Sequence, residues 1–145
     1  MHMPALLLHV AATLFMTGLI WFVQVVHYPL AGQVGEAAFP AYQAAHMRLT
    51  GFVVGPPMIA ELLATGWLLV ARPDAVPAWA AWLGAALLAV VWGSTALLQV
   101  PAHSALLSGL DAAQVDRLVA GNWVRTVAWT ARAGLALAMI GWVAR

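Results

Sequence analysis

His27, His46 and His103 stand out in a chain made mostly of aliphatic and aromatic residues, together with Glu61 and the polar residues Gln24, Gln99, Asn122 and Arg125. Imidazole is the side chain that gains and loses a proton near neutral pH, and it is the commonest ligand for transition metals. Three imidazoles and a carboxylate suit Zn, Fe or Cu better than Mg. The three histidines are therefore candidate metal ligands and, with Glu61, candidate catalytic acids and bases. No HxxxH or HExxH pair falls within one segment, so the spacing does not choose between metal ligation and proton transfer. Haem is the alternative cofactor. The chain has no Cys, which removes disulfides, thiolate metal sites and a Cys nucleophile.

The medium that surrounds these residues follows from composition. Of 145 residues, 64% are hydrophobic and 8% charged, against about a quarter charged in an ordinary soluble domain. That excludes a water-soluble globule and a disordered tail. The 6 basic residues, all Arg, face 5 acids, too few for a phosphate-binding patch, so nucleic acid is excluded as a partner. Membrane lipids are the expected surroundings. Runs of roughly 20 apolar residues span a bilayer, and four qualify: residues 4–27, 50–71, 78–100 and 122–143. The first has no basic n-region and no small-x-small cleavage pattern, and it reads as a retained helix rather than a signal peptide.

The expected fold is all-α: one polytopic four-helix membrane domain over residues 1–145. Residues 35–47 and 108–121 carry apolar positions at helical spacing, with Asp111 placed as an N-cap, and read as two short amphipathic surface helices on one membrane face. Arginines are shared evenly between the two sides, which leaves orientation open. The motif QVVH at Gln24–His27 resembles QVPAH at Gln99–His103, and HMRLT at His46–Thr50 resembles NWVRT at Asn122–Thr126, at shifts of 75–77 residues. This points to a parallel internal repeat, with helices 1 and 2 repeated as helices 3 and 4.

Within each span the polar residues share a face. His9, Thr13, Thr17, Gln24 and His27 line the first, and His46, Thr50, Pro57, Glu61 and Thr65 the second. Ser94 or Thr95, then Gln99 and His103, line the third, and Asn122, Arg125, Trp129 and Arg132 the fourth. Four inward stripes make a bundle with a polar interior. Alternating helix directions bring His27, His46, His103, Gln24, Gln99, Asn122, Arg48 and Arg125 to one face, while Glu61 lies roughly 16 Å deep. The expected site is a funnel open at that face and closed near Glu61, with Gln24, Gln99, Asn122 and Arg125 as second shell or substrate contacts. Structural readings of the same residues stand beside it. Helix-end histidines can bond free carbonyls, Glu61 and Arg132 can form a buried pair, and Arg48 and Arg125 can hold lipid headgroups. Gly18, Gly51, Gly55 and Gly66 are expected to let helices approach closely.

A family resemblance lies in several motifs: WFVQVVHYPL from Trp21, FPAY from Phe39, His46, Pro57-Met58 with Glu61, QVPAH and NWVRT. Together they resemble a family of small bacterial four-helix membrane proteins, similar to the anthrone-oxygenase-like group. A fainter likeness, to membrane protoporphyrinogen oxidases, lacks the lysine that family uses. The first resemblance implies a membrane oxidoreductase in the bacterial inner membrane, acting on a small lipophilic molecule with oxygen. It adds Tyr28, Arg48 and Trp123, beside Trp129 and Arg132, as substrate or second-shell positions. An Asn is common in that group where this chain has His103. A haem-, quinone- or lipid-binding bundle without chemistry is the alternative. A small transporter or proton path is another, which four helices can build as a homo-oligomer or for a very small substrate.

Overall fold

In the computed structural model, which describes residues 2–145, four long helices run back and forth: α1 (His2–Ala31), α2 (Phe39–Val70), α3 (Ala78–Ser108) and α4 (Ala112–Val143). Each is long and apolar enough to cross a membrane, and the protein is a multi-pass membrane protein. In lipid the backbone must satisfy its own hydrogen bonds, which helices do without a partner strand. Around the bundle α1 packs on α2 and α4, and α3 packs on α4 and α2.

The segments read as separate surface helices are the opening turns of α2 and α4. Each of these helices runs unbroken for 32 residues, about 48 Å at 1.5 Å per residue, well beyond the ~30 Å hydrocarbon core. Nothing in the sequence breaks the helix where the hydrocarbon begins, so the amphipathic turns continue into the span. Asp111 caps α4 as expected, its Oδ1 accepting from the amides of Ala113 and Gln114 at 2.9 and 3.2 Å. Gly109, with φ +147°, ends α3 just before it in a conformation that favours glycine.

Two wide turns interrupt α1 and α3, at Val23–His27 and Thr95–Gln99, where the backbone bonds reach five residues back, from Tyr28 to Val23 and from Val100 to Thr95. Pro29 and Pro101 follow directly. A proline ring inside a helix clashes with the carbonyl four residues earlier and lacks an N–H for it. One extra residue in the preceding turn relieves both problems. The halves thus repeat their elements at a shift of 72 residues for turn and proline and 73 for the 32-residue helices, not the 75–77 suggested by the short motifs. At this shift His27 corresponds to Gln99 and His103 to Ala31, so the two histidines are not counterparts.

The interior alternates along the bundle axis. Leu6, Leu68, Val76, Ala80, Leu135 and Met139 pack near the termini. Met16, Ile20, Met58, Val91, Ala128 and Trp129 fill the middle. Tyr28, Phe39, Leu106, Val115 and Leu118 close the end carrying the 32–38 and 109–111 connections. Polar layers lie between these apolar ones. The glycines named for close packing do not serve it: a Cβ on Gly18, Gly51, Gly55 or Gly66 would meet nothing within 4 Å. The close approach occurs instead at Gly121, where an added Cβ would lie 3.2 Å from Gln99 Nε2.

Because the chain has no native Cys, single-Cys variants report topology directly. In sealed vesicles, Glu36→Cys and Asp116→Cys should react with an impermeant maleimide from one side, and Asp74→Cys from the other. Labelling of positions 36 and 116 from opposite sides would break the four-span arrangement.

Candidate functional site

The deeper polar layer surrounds Glu61, whose carboxylate is fully buried. Oε1 accepts from Thr13 Oγ1 at 2.8 Å and from Arg132 Nη2 at 3.3 Å, and Oε2 accepts from Trp129 Nε1 at 2.9 Å. Arg132 also donates to the Gly84 carbonyl and, at 3.2 Å, to Thr65 Oγ1. The ion pair therefore bonds to residues of all four helices. His9 lies in the same layer, 2% exposed, and its Nδ1 has no partner. Glu61 does not line the cavity described below. It is linked to that cavity through Trp129, which lines it and whose Nε1 donates to Oε2.

The second polar layer holds the three histidines. His27 and His46 rings stack at 4.6 Å, and His46 and His103 centroids lie 5.0 Å apart. Their nitrogens engage one another and their neighbours. His27 Nε2 lies 2.8 Å from His46 Nδ1, and Thr50 Oγ1 lies 3.1 Å from that same Nδ1. His103 Nε2 is 2.9 Å from Tyr28 Oη, and its Nδ1 is 2.9 Å from Gln43 Nε2. Among the described residues no group of three His, Asp or Glu is arranged to hold a metal ion. The metal expectation for His27, His46 and His103 lacks the converging nitrogens it needs.

Protons in this layer can be assigned from geometry. Gln43 Nε2 also donates to the His103 carbonyl at 3.0 Å; a flipped amide would set oxygen against oxygen there. The amide N–H2 thus faces His103 Nδ1, which must accept, and the proton of neutral His103 sits on Nε2. His103 then donates to Tyr28 Oη. Arg125 Nη2 donates to the same oxygen at 3.2 Å. With two donors on its oxygen, Tyr28 keeps its own O–H to give elsewhere. In the neutral His27–His46 pair one proton lies between the rings, so of the two outer nitrogens one is a bare acceptor and the other carries hydrogen.

Arg125 is held by neutral oxygens. Asn122 Oδ1 accepts from its Nε at 2.9 Å and also from Nη2, Gln99 Oε1 accepts from Nη2 at 3.4 Å, and Thr95 Oγ1 from Nη1 at 3.5 Å. Asn122 is itself fixed by donating to Gln24 Oε1 at 2.8 Å, while Gln24 Nε2 donates to the Val119 carbonyl at 3.1 Å. Gln24 and Asn122 therefore clip α1 to α4 and position Arg125 from behind, without lining the cavity.

A cavity of about 400 Å³ meets this layer. Met16, Ile20, Val54, Met58 and Trp129 form much of its apolar wall, and His27, Tyr28, His46, Gln99, His103 and Arg125 its polar end. Its rim includes Phe22, Leu49, Gly51, Val53 and Val100, all exposed on the outer surface of membrane-crossing helices. The expected funnel toward the membrane face is not observed. The apolar cluster of Phe39, Leu106, Val115 and Leu118 lies over the polar layer at that end, and the opening is sideways, toward lipid. Pro56 and Pro57 sit inside α2 beside this opening and leave two backbone carbonyls without their helical partners.

Other expected site residues lie apart. Arg48 is exposed, and Trp123 stands on the outer surface, edge-on to Trp21 at 5.7 Å. Gln43, which sets the His103 tautomer, was missed by sequence reasoning. Its signal was present: Phe39, Gln43, His46 and Thr50 follow one another at spacings of 4, 3 and 4, which is one helix face.

Glu61→Gln should destabilise the protein by about 3 kcal/mol or more, because it strands the Arg132 charge in the interior. Thermal unfolding in detergent reads this, with Arg132→Gln expected to cost a similar amount and the double variant less than the sum. Two harmless single variants would mean the pair does not hold the bundle.

Compared with known proteins, the chain matches no family model, no curated protein and no solved structure.

Proposed function

We propose that the protein is a membrane oxidoreductase that takes a small lipophilic substrate from the bilayer and acts on it with its own side chains. The observation that carries this reading is the cavity itself: an apolar chamber, open to lipid, that ends in acid–base groups whose protons have assigned places. A lipophilic molecule would bury its rings or chain against Met16, Met58 and Trp129 and present its polar atom to Tyr28 and the histidines.

The His27–His46 pair supplies the base. A proton taken by the bare outer nitrogen of one ring is matched by release from the outer N–H of the other, the shared proton shifting between them. Tyr28 O–H and Arg125 face the substrate oxygen on which charge collects. His103 fixes Tyr28 and is itself fixed by Gln43. The family resemblance supplies the oxidant: dioxygen, which converts an activated ring methylene to a ketone and leaves its second oxygen atom as water. Proton removal from the methylene makes the electron-rich anion that such an oxidation needs.

In native-lipid discs, an anthrone should give protein-dependent oxygen uptake matched one to one by ketone formation. His46→Ala and Tyr28→Phe should each lower the rate by about 10²-fold, the lower range for a lost acid–base group. Tight binding of the anthrone without oxygen uptake would instead make the protein a lipophile-binding bundle.

A further inference from the structure

Four of the five acids, Glu36, Asp74, Asp111 and Asp116, are exposed. The fifth, Glu61, is bonded to Arg132. Arg125 is nevertheless 92% removed from contact with the surroundings, being only 8% exposed. Among the described residues no carboxylate lies within 4 Å of its guanidinium; its four partners are an amide each from Asn122 and Gln99, the Tyr28 phenol and the Thr95 hydroxyl. A buried charge without a countercharge is costly in a membrane-spanning bundle. Neutral dipoles offset only part of that cost.

The donors at this end of the cavity also outnumber the acceptors. Arg125 Nη1 has one long bond, at 3.5 Å to Thr95. Tyr28 keeps its O–H free by the tautomer argument above. A neutral ether or hydrocarbon would leave these donors unpaired and the guanidinium uncompensated. A group with two or more acceptor lone pairs and a negative charge would answer both needs.

We infer that the cavity binds its ligand as an anion, a lipophilic carboxylate, phenolate or enolate whose charged oxygen is held by Arg125 and Tyr28. This deepens the reading of the cavity as a lipophile site and rests on it. It also assigns Arg125 as the specificity-determining residue: the ring system is taken up by the apolar wall, and the charge decides which ring systems stay.

Equilibrium binding of 2-naphthoate and of its uncharged methyl ester to the 145-residue chain in detergent at neutral pH tests this, with partition into empty micelles subtracted. The acid should bind at least tenfold more tightly than the ester. Arg125→Gln should bring the two within twofold of each other, and Arg125→Lys should restore part of the preference. The wild-type comparison needs no variant, so a variant that fails to fold leaves the test intact. If the ester binds as tightly as the acid, the charge assignment is wrong while the lipophile site stands. If neither binds, the lipophile site itself is wrong. A short-chain phosphatidic acid that half-displaces the naphthoate at a concentration below the naphthoate's own dissociation constant would place the anion on a lipid headgroup and overturn the assignment to a small acid.

Discussion

The carboxylate of Glu61 is the point through which the four helices are held in one register. It accepts from α1 through Thr13 and from α4 through Trp129 and Arg132, and Arg132 in turn reaches the Gly84 carbonyl on α3 and Thr65 on α2. Apolar contacts between helices in lipid supply little driving force, because the tails they displace are equally apolar. A buried ion pair with few acceptable geometries can fix rotation and height where packing alone cannot. The ligand chamber inherits that order, since the indole fixed by Glu61 forms part of its wall.

Two arginines, seven residues apart on α4, differ in what holds them. Arg132 has a carboxylate, a carbonyl and a hydroxyl as partners, and its neighbourhood is complete apart from its Nε. Arg125 has only neutral oxygens and looks onto an apolar chamber. Seven residues are close to two helical turns, so both face inward, and they differ in their partners alone. Gln24 and Asn122 lie among the histidines but off the cavity, and they join α1 to α4.

Much of this was legible in the sequence. Four apolar runs, each with one polar stripe, specify four spans with inward polar layers, and the depths of Glu61 and Arg132 place them together. The alternation of apolar and polar layers follows from the same stripes. The merging of the amphipathic segments into α2 and α4 was not legible, because amphipathic spacing marks a change of surroundings and not an end of the helix. The wide turns at Val23–His27 and Thr95–Gln99 were hidden as well. Only Pro29 and Pro101 hinted at them, and the extra residue they induce changes which motifs correspond between the halves. Hydrogen-bond partners, and with them the separation of Arg125 from Arg132, depend on side-chain directions that spacing alone does not fix.

The apolar cluster of Phe39, Leu106, Val115 and Leu118 over the polar layer has a consequence for how occupancy is governed. Under the proposed function, a ligand entering between the membrane-crossing helices would exchange with the bilayer rather than with water on that side. The quantity that sets saturation is then the mole fraction of ligand among lipids, and the aqueous concentration matters only through partition. At a fixed total amount of ligand, added lipid dilutes the ligand in two dimensions and empties the site. A strongly partitioning compound would then fill the site from a dilute aqueous pool, its partition coefficient setting how dilute that pool can be.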